Sequence, residues 1–312
     1  VRAAVIVNPK AGALRRNPKL AERLRESCRG RAELQITQDD AHLGEVAQTI
    51  ADHGVERVAV VGGDGTASVT LTSLWKAYGD RPLPSVSFLR GGTMNTIANS
   101  LGVSRRNPGW LLDRTLQAWS NGEAKKLKAR PTLRIGDRLG FLFGTGLMYG
   151  YLAEYYAAGN GQPTPVTAAT VLAKAMGSAL VGGKTFERIL QPRKLQVVFS
   201  NGHWETRNYM TIGAGTVVQA GLGFRPFYRA FERDDRFHLL AVKGRAHAVA
   251  QDMPRIWLGR GFRPETAEET TTEWAELSCA DGTFGYFVDG DLLTAPGHLS
   301  LGVGPRFNIL RI

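Results

Sequence analysis

Apolar and polar positions fall into two regimes along the chain. In the first, short apolar runs alternate with segments whose apolar residues recur every three or four positions. Ala3-Ala4-Val5-Ile6-Val7, Leu34-Gln35-Ile36-Thr37, Val58-Ala59-Val60-Val61 and Val86-Ser87-Phe88-Leu89 read as strands. Leu20, Leu24 and Cys28, then Leu43, Val46, Ala47 and Ile50, then Leu111, Leu112, Leu116 and Trp119 mark helical stripes. Asn17-Pro18 and Asn107-Pro108 each offer a cap followed by proline at the first helical position, Asp40 offers another cap, and Gly54 suits a helix end. Repeated strand–helix units predict a doubly wound parallel sheet, with ligands beyond the carboxyl ends of its strands.

Near Lys125 the pattern changes. Lys125-Lys126-Leu127-Lys128-Ala129-Arg130 is a basic run that suits a linker or an entering edge strand. Beyond it come paired strand-like segments: Thr132–Ile135 with Gly140–Phe143, and Leu195–Phe199 with Trp204–Ile212, the second pair joined by Asn201-Gly202, a strong hairpin signal. Phe237–Val242, Thr271–Cys279 and Tyr286–Val288 extend the series, and Val166–Leu180 and Ala246–Leu258 read as inserted helices. The expectation is an α/β plus β protein: residues 1–124 a doubly wound α/β domain, residues 125–302 an antiparallel β-sandwich. A last strand within 303–312 would return to the first domain.

Composition narrows the partners. Of 312 residues, 43% are hydrophobic and 21% charged, enough apolar material for a globular core. The formal charge of +11 favours something polyanionic: a nucleotide, nucleic acid or an anionic membrane. No basic–aromatic interleaving supports nucleic acid. Two distant cysteines, Cys28 and Cys279, suggest no disulfide framework and fit a reducing cytoplasm. No signal-peptide pattern precedes the first strand, and no apolar run reaches the roughly 18 residues of a membrane span. Any membrane contact is therefore expected to be peripheral.

The chemistry concentrates in turns after the strands. Gly62-Gly63-Asp64-Gly65-Thr66 follows the central strand and opens a helix, where glycines allow close approach and amides favour phosphate. It lacks the Gly-Lys-Ser/Thr ending of a Walker loop. Asp64 would repel phosphate unless a metal or a proton transfer is involved, which suggests phosphoryl transfer; a helix cap is its bland alternative. Asn8-Pro9-Lys10-Ala11-Gly12 and Gly91-Gly92-Thr93-Met94-Asn95 fall at the same predicted sheet edge, with Lys10, Thr93 and Asn95 as polar contacts. Gly144-Thr145-Gly146 and Gly213-Ala214-Gly215 lack a third glycine and read as close-packed strand glycines. Asp289-Gly290-Asp291 suits a base or a Mg²⁺ ligand, or else an Asp-Gly hairpin turn.

Taken in order, these motifs resemble the diacylglycerol kinase catalytic-domain family, which also holds sphingosine, ceramide and bacterial lipid kinases. The resemblance implies a nucleotide-binding α/β domain followed by a β-sandwich, with the active site between them. It implies ATP contacts at Asn8, Pro9, Lys10, Ala11, Gly12, Thr37, Gly62, Gly63, Asp64, Gly65, Thr66, Ala67, Ser68, Thr93 and Asn95. Mg²⁺ is implied with the nucleotide. Asp291 corresponds to the acidic base that closes an Asp-Gly-Glu motif, one methylene shorter here, with Asp289 or Asp64 able to share the role. Asp235 matches one ligand of a structural Mg²⁺ loop, whose usual glycine and final aspartate are replaced by Arg236 and His238. Ala67-Ser68 also replaces the Leu-Asn common after the glycine turn.

The expected activity is phosphorylation of a hydroxyl on diacylglycerol or a related lipid, at an anionic membrane surface, within phospholipid metabolism. The expected location is cytoplasmic and peripheral to the membrane, with a homodimer one arrangement open to the protein. NAD kinases share the Gly-Gly-Asp-Gly-Thr turn, so a soluble-substrate kinase is the alternative. The departures at Asp291 and His238 also admit an inactive lipid- or nucleotide-binding regulator.

Overall fold

A computed structural model describes residues 2–122, 127–159, 164–181, 183, 186, 189–190, 192–280 and 282–312. The expected boundary at residues 124 and 125, and Lys125-Lys126 of the basic run, lie outside the described residues. Two compact units emerge. The first comprises Val1–Thr132, Arg138–Gly140 and Pro305–Ile312, and the second Leu133–Asp137 and Phe141–Gly304.

The first unit alternates β1 (Ala3–Val7), α1 (Gly12–Arg16), α2 (Lys19–Cys28), β2 (Glu33–Ile36), α3 (Asp40–Asp52), β3 (Arg57–Val61), α4 (Asp64–Tyr78), β4 (Ser85–Phe88), α5 (Thr96–Ser100) and α6 (Pro108–Ser120). The strands run parallel in the order β2-β1-β3-β4. Every residue of β1 is buried, which a sheet achieves only with both faces covered. Contacts of α2 with α6 and of α3 with α4 supply two helical layers. Because β2 lies to one side of β1 and β3 to the other, the order reverses between β1 and β3, the crevice where such sheets take ligands. Val7 pairs with Val61, so the turns after these strands start level.

Caps follow the short polar side chains, with two shifts. Asn107 accepts the Trp110 N–H at 2.9 Å, with Pro108 opening α6 as the pattern predicts. For α3 the cap is Asp39, not Asp40, because the Asp39 carboxylate reaches the His42 N–H at 2.9 Å. Asn17 ends α1, while Pro18 already has helical angles and stands at the cap of α2.

The straddling strand β5 (Leu127–Ile135) and the short β6 (Arg138–Gly140) lead into β7 (Leu142–Thr145), α7 (Leu147–Ala158) and α8 (Pro165–Val181). There follow β8 (Arg193–Phe199), β9 (Gly202–Tyr209), β10 (Thr211–Gly215), β11 (Phe237–Val242), α9 (Ala246–Trp257), β12 (Ala267–Thr272), β13 (Trp274–Cys279), β14 (Phe284–Val288), β15 (Asp291–Ala295) and β16 (His298–Leu310). Within the second unit, β12-β11-β10-β7-β14-β15 form one antiparallel sheet. The start of β16 with β13, β8 and β9 forms the other antiparallel array. Phe143, Ile212 and Phe237 from one meet Leu195, Val197, Leu277 and Leu301 from the other in a shared core, which is a β-sandwich.

Two strands expected as continuous change sheet instead. Trp204–Ile212 divides at Met210, and Thr271–Cys279 divides at Glu273, where the chain turns from one layer to the other. Gly144, Gly213 and Gly215 are close-packed in strands: a methyl group would come within 2.5 Å of Phe287 at the first and 3.1 and 2.8 Å of Phe227 at the others. Gly146 is different, since it caps α7 with φ of 54° and a Cβ there would lie 2.2 Å from the Met210 carbonyl.

Candidate active site

Three turns of the first unit interlock. The Asn8 amide donates to the Thr66 hydroxyl at 2.8 Å, and the Ala13 N–H donates to the Gly91 carbonyl at 2.9 Å. Gly91 and Gly92 lie directly on Gly62 and Gly63: a Cβ at Gly92 would sit 2.4 Å from the Gly63 Cα, and one at Gly91 2.7 Å from the Gly62 nitrogen. Glycine is required there by contact between backbones, not by unusual torsion angles. The α4 cap, Gly63, carries no side chain to satisfy the first-turn amides, which suits them to an anion, while α3 and α6 are capped by the side chains of Asp39 and Asn107.

Asp64 ties two of the turns together. Its two carboxylate oxygens accept the Thr96 and Ile97 N–H groups, each at 2.9 Å, so it caps α5 and ties the third turn to the second. Burial raises its carboxyl above the ordinary value, against the opposing pull of these amides and of Arg90. Asn95 is likewise turned onto its own loop, accepting from Gly92 N–H at 3.0 Å and donating to Gly92 O at 2.8 Å. Ser68 is buried and donates to the Leu139 carbonyl at 2.6 Å. Ala67 and Thr37 are also buried, and Thr37 donates its N–H to Val7 O at 3.0 Å. Lys10 is exposed, its N–H held by the Asn8 side chain at 2.9 Å.

Two arginines belong to this neighbourhood that the motifs do not name. A methyl group at Gly12 would meet the Arg16 guanidinium at 3.0 Å and the Thr93 hydroxyl at 3.3 Å. Arg16 thus stands one helical turn beyond the Asn8–Gly12 turn, and that spacing was its available signal. Arg90 lines the same cleft as Gly62, Gly63 and Asp64, with its guanidinium 2.8 Å from the Asn99 side-chain oxygen.

In the second unit, Asp289-Gly290 is the two-residue turn joining β14 to β15, with Val288 paired to Asp291 and φ of 48° and 113° at the turn. The Asp289 carboxylate is buried and accepts the Phe141 and Leu142 N–H groups, each at 2.8 Å. It repeats the clamp that Asp64 makes in the first unit. Asp291, the first residue of β15, is half-buried.

The Asp235 carboxylate receives two N–H bonds from Arg233, at 2.9 and 2.7 Å, and that guanidinium holds it below the ordinary range. His238 is fully buried, edge-on to Phe227 and Tyr228, with Glu269 at 3.5 Å. Among the described residues no group of three or more His, Cys, Asp or Glu gathers around a common point. These side chains do not fit a resident Mg²⁺ at the loop, and the expected ligand Asp235 is occupied by its arginine.

Glu269 gives a pH test of the packing that stands there instead. Burial alone would raise its carboxyl, but His238, the Tyr228 hydroxyl and the Phe262 amide outweigh that and hold it low. Its charge therefore stabilises the unit above the unfolded value of about 4.3, and the contribution is lost as pH falls through the lower folded value. Glu269→Gln should melt below the parent at neutral pH and converge with it in acid. A gap unchanged by acidification would refute the assignment.

Comparison with known proteins follows the same outline. Residues 2–126 match the family model for the diacylglycerol kinase catalytic domain. No curated protein sequence matches the chain. Among solved structures, a diacylglycerol kinase from Bacillus anthracis str. Sterne is 15% identical with a TM-score of 0.67, covering 100% of this chain and 97% of that one. Two more structures from that organism, named as candidate diacylglycerol kinases, give TM-scores of 0.70 and 0.66 at 17% and 15% identity. They cover 100% of this chain and 97% and 98% of their own. At such identities the structures establish a shared fold: a mixed α/β domain followed by an antiparallel β domain. Over residues 2–126 the chain is thus similar to the diacylglycerol kinase catalytic domain, and over its whole length it shares the fold of these structures.

Proposed function

We propose that this protein is an ATP-dependent lipid kinase that phosphorylates a hydroxyl of diacylglycerol or a related lipid. The observation that carries the reading is the cradle of backbone formed by the three interlocked turns at the β1/β3 crevice. It is walled by glycine and opens on the uncapped N-terminus of α4. Such a cradle suits a polyphosphate, and the match of residues 2–126 to the diacylglycerol kinase catalytic domain favours ATP as the nucleotide.

In this reading Asn8 to Gly12, Gly62 to Thr66 and Thr93 line the phosphates, with Lys10 as the mobile cation. Thr37, Ala67, Ser68 and Asn95 support the cradle from within. Mg²⁺ would accompany the nucleotide and neutralise phosphate charge. The protein's own part is to align and desolvate. Asp291 accepts the proton as the lipid oxygen bonds to the γ-phosphorus and the bond to ADP breaks. Asp64 and Asp289 act as positioning residues, because each carboxylate is committed to two backbone amides.

The acceptor test compares substrates directly. Given ATP labelled at the γ-position, the protein should label diacylglycerol dispersed in detergent and leave NAD unlabelled. Label on NAD alone would assign a soluble nucleotide kinase instead.

A further inference from the structure

The C-terminal end of α9 carries apolar side chains that the described residues leave largely exposed. Pro254, Trp257 and Leu258 are exposed, the last two by 55% and 54%. Their i, i+3, i+4 spacing puts them on one face. The opposite side of the helix is anchored by buried Val249, Asp252 and Ile256. Asp252 holds Arg263 through its guanidinium at 2.8 Å and its backbone N–H at 3.1 Å. The Arg225 N–H donates to the Ile256 carbonyl at 3.0 Å and the Arg260 N–H to the Arg255 carbonyl at 2.9 Å. The exposed face is thus presented by a fixed helix end, not by a fraying one.

The segments around it are rich in arginine, with Glu269 held inward by Tyr228 and Phe262. Residues 217–231 and 253–264, which meet at this helix end, contain Arg225, Arg229, Arg255, Arg260 and Arg263 and no Asp or Glu. Arg229 pairs with Glu232 and Arg263 with Asp252. Arg225, Arg255 and Arg260 form no ion pair with a carboxylate among the described residues.

We propose that Pro254, Trp257 and Leu258, flanked by Arg225, Arg255 and Arg260, dock this protein onto an anionic lipid bilayer. Trp and Leu suit the boundary between headgroups and acyl chains, and arginines pair with lipid phosphates. A second copy of the chain fits the face less well, since a twofold contact would bring the same arginines together. The docking rests on the lipid-kinase reading only for its purpose, because binding needs neither ATP nor transfer.

The test is co-sedimentation with phosphatidylcholine vesicles, with and without phosphatidylglycerol. The parent should prefer the anionic vesicles and release them as salt rises. Trp257→Ser with Leu258→Ser should weaken binding about tenfold or more. Arg225→Gln with Arg260→Gln should remove the anionic preference. Both double variants should keep the parental melting temperature and phosphorylate short-chain diacylglycerol in detergent at the parental rate. Vesicle binding by a chain that transfers no phosphate would sustain the docking and sink the kinase reading. A parent that phosphorylates soluble diacylglycerol but ignores vesicles would overturn the docking alone. Variants that bind like the parent, or a dimer abolished by the Trp257/Leu258 pair, would also overturn it.

Discussion

Gly92→Ala should abolish measurable ATP binding. The added methyl group would stand 2.4 Å from the Gly63 Cα and 3.3 Å from the Asn95 side-chain oxygen. The first neighbour is backbone and cannot swing aside, so the second and third turns must separate. Separation strains the Asp64 bonds to Thr96 and Ile97 and the Asn95 clasp on Gly92. Overpacking of this kind costs about 1–3 kcal/mol of stability. Loss of the cradle should lower ATP affinity by about a hundredfold or more, since preorganised phosphate donors no longer converge. Calorimetric titration with ATP and a thermal melt measure both. Gly44→Ala is the control: nothing lies within 4 Å of its Cβ inside α3, and replacing a helical glycine stabilises by about 0.8 kcal/mol. Undiminished ATP affinity in Gly92→Ala would mean that the nucleotide does not use this contact.

The second large effect concerns the base. Asp291→Asn should lower kcat by about 10²–10⁴-fold while leaving ATP affinity within about twofold, the signature of a lost proton acceptor. Asp291→Glu should retain activity, and a gain would show that the shorter carboxylate limits transfer. Asp289→Asn should behave differently. An asparagine has one carbonyl oxygen for the two amides of Phe141 and Leu142, so one buried donor is left unsatisfied, at about 1–3 kcal/mol. Its melting temperature should fall, and Asp291→Asn should be told apart by its loss of kcat. If Asp289→Asn instead abolished turnover in a fully stable protein, the two aspartates would exchange roles.

The contrast between these aspartates marks where the sequence stops informing. Strand runs, glycine turns and the Asn107 cap are legible because each follows from local sterics and one short side chain. The hairpin at Asn201-Gly202 is legible for the same reason, and β8 does pair with β9 there. The sheet changes at Met210 and Glu273 are not, because the β-forming pattern continues through them and only long-range packing assigns the layer. Likewise Asp64 and Asp289 carry the residue type of a base or ligand. Whether their oxygens are already committed depends on amides 32 and 148 positions away. Arg233 beside Asp235 was visible in the sequence, but its bidentate grip was not. His238 reads as a departure from a metal loop, and the fold turns it into a buried partner for Glu269.

One measurement tests the central claim most directly: the balance of phosphate during turnover with ATP, Mg²⁺ and diacylglycerol in detergent. Phosphate leaving ATP should appear one-for-one as phosphomonoester on the lipid, with the label in the organic phase. ATP hydrolysed to free phosphate, or no transfer to any lipid hydroxyl by folded, ATP-binding protein, would contradict the account.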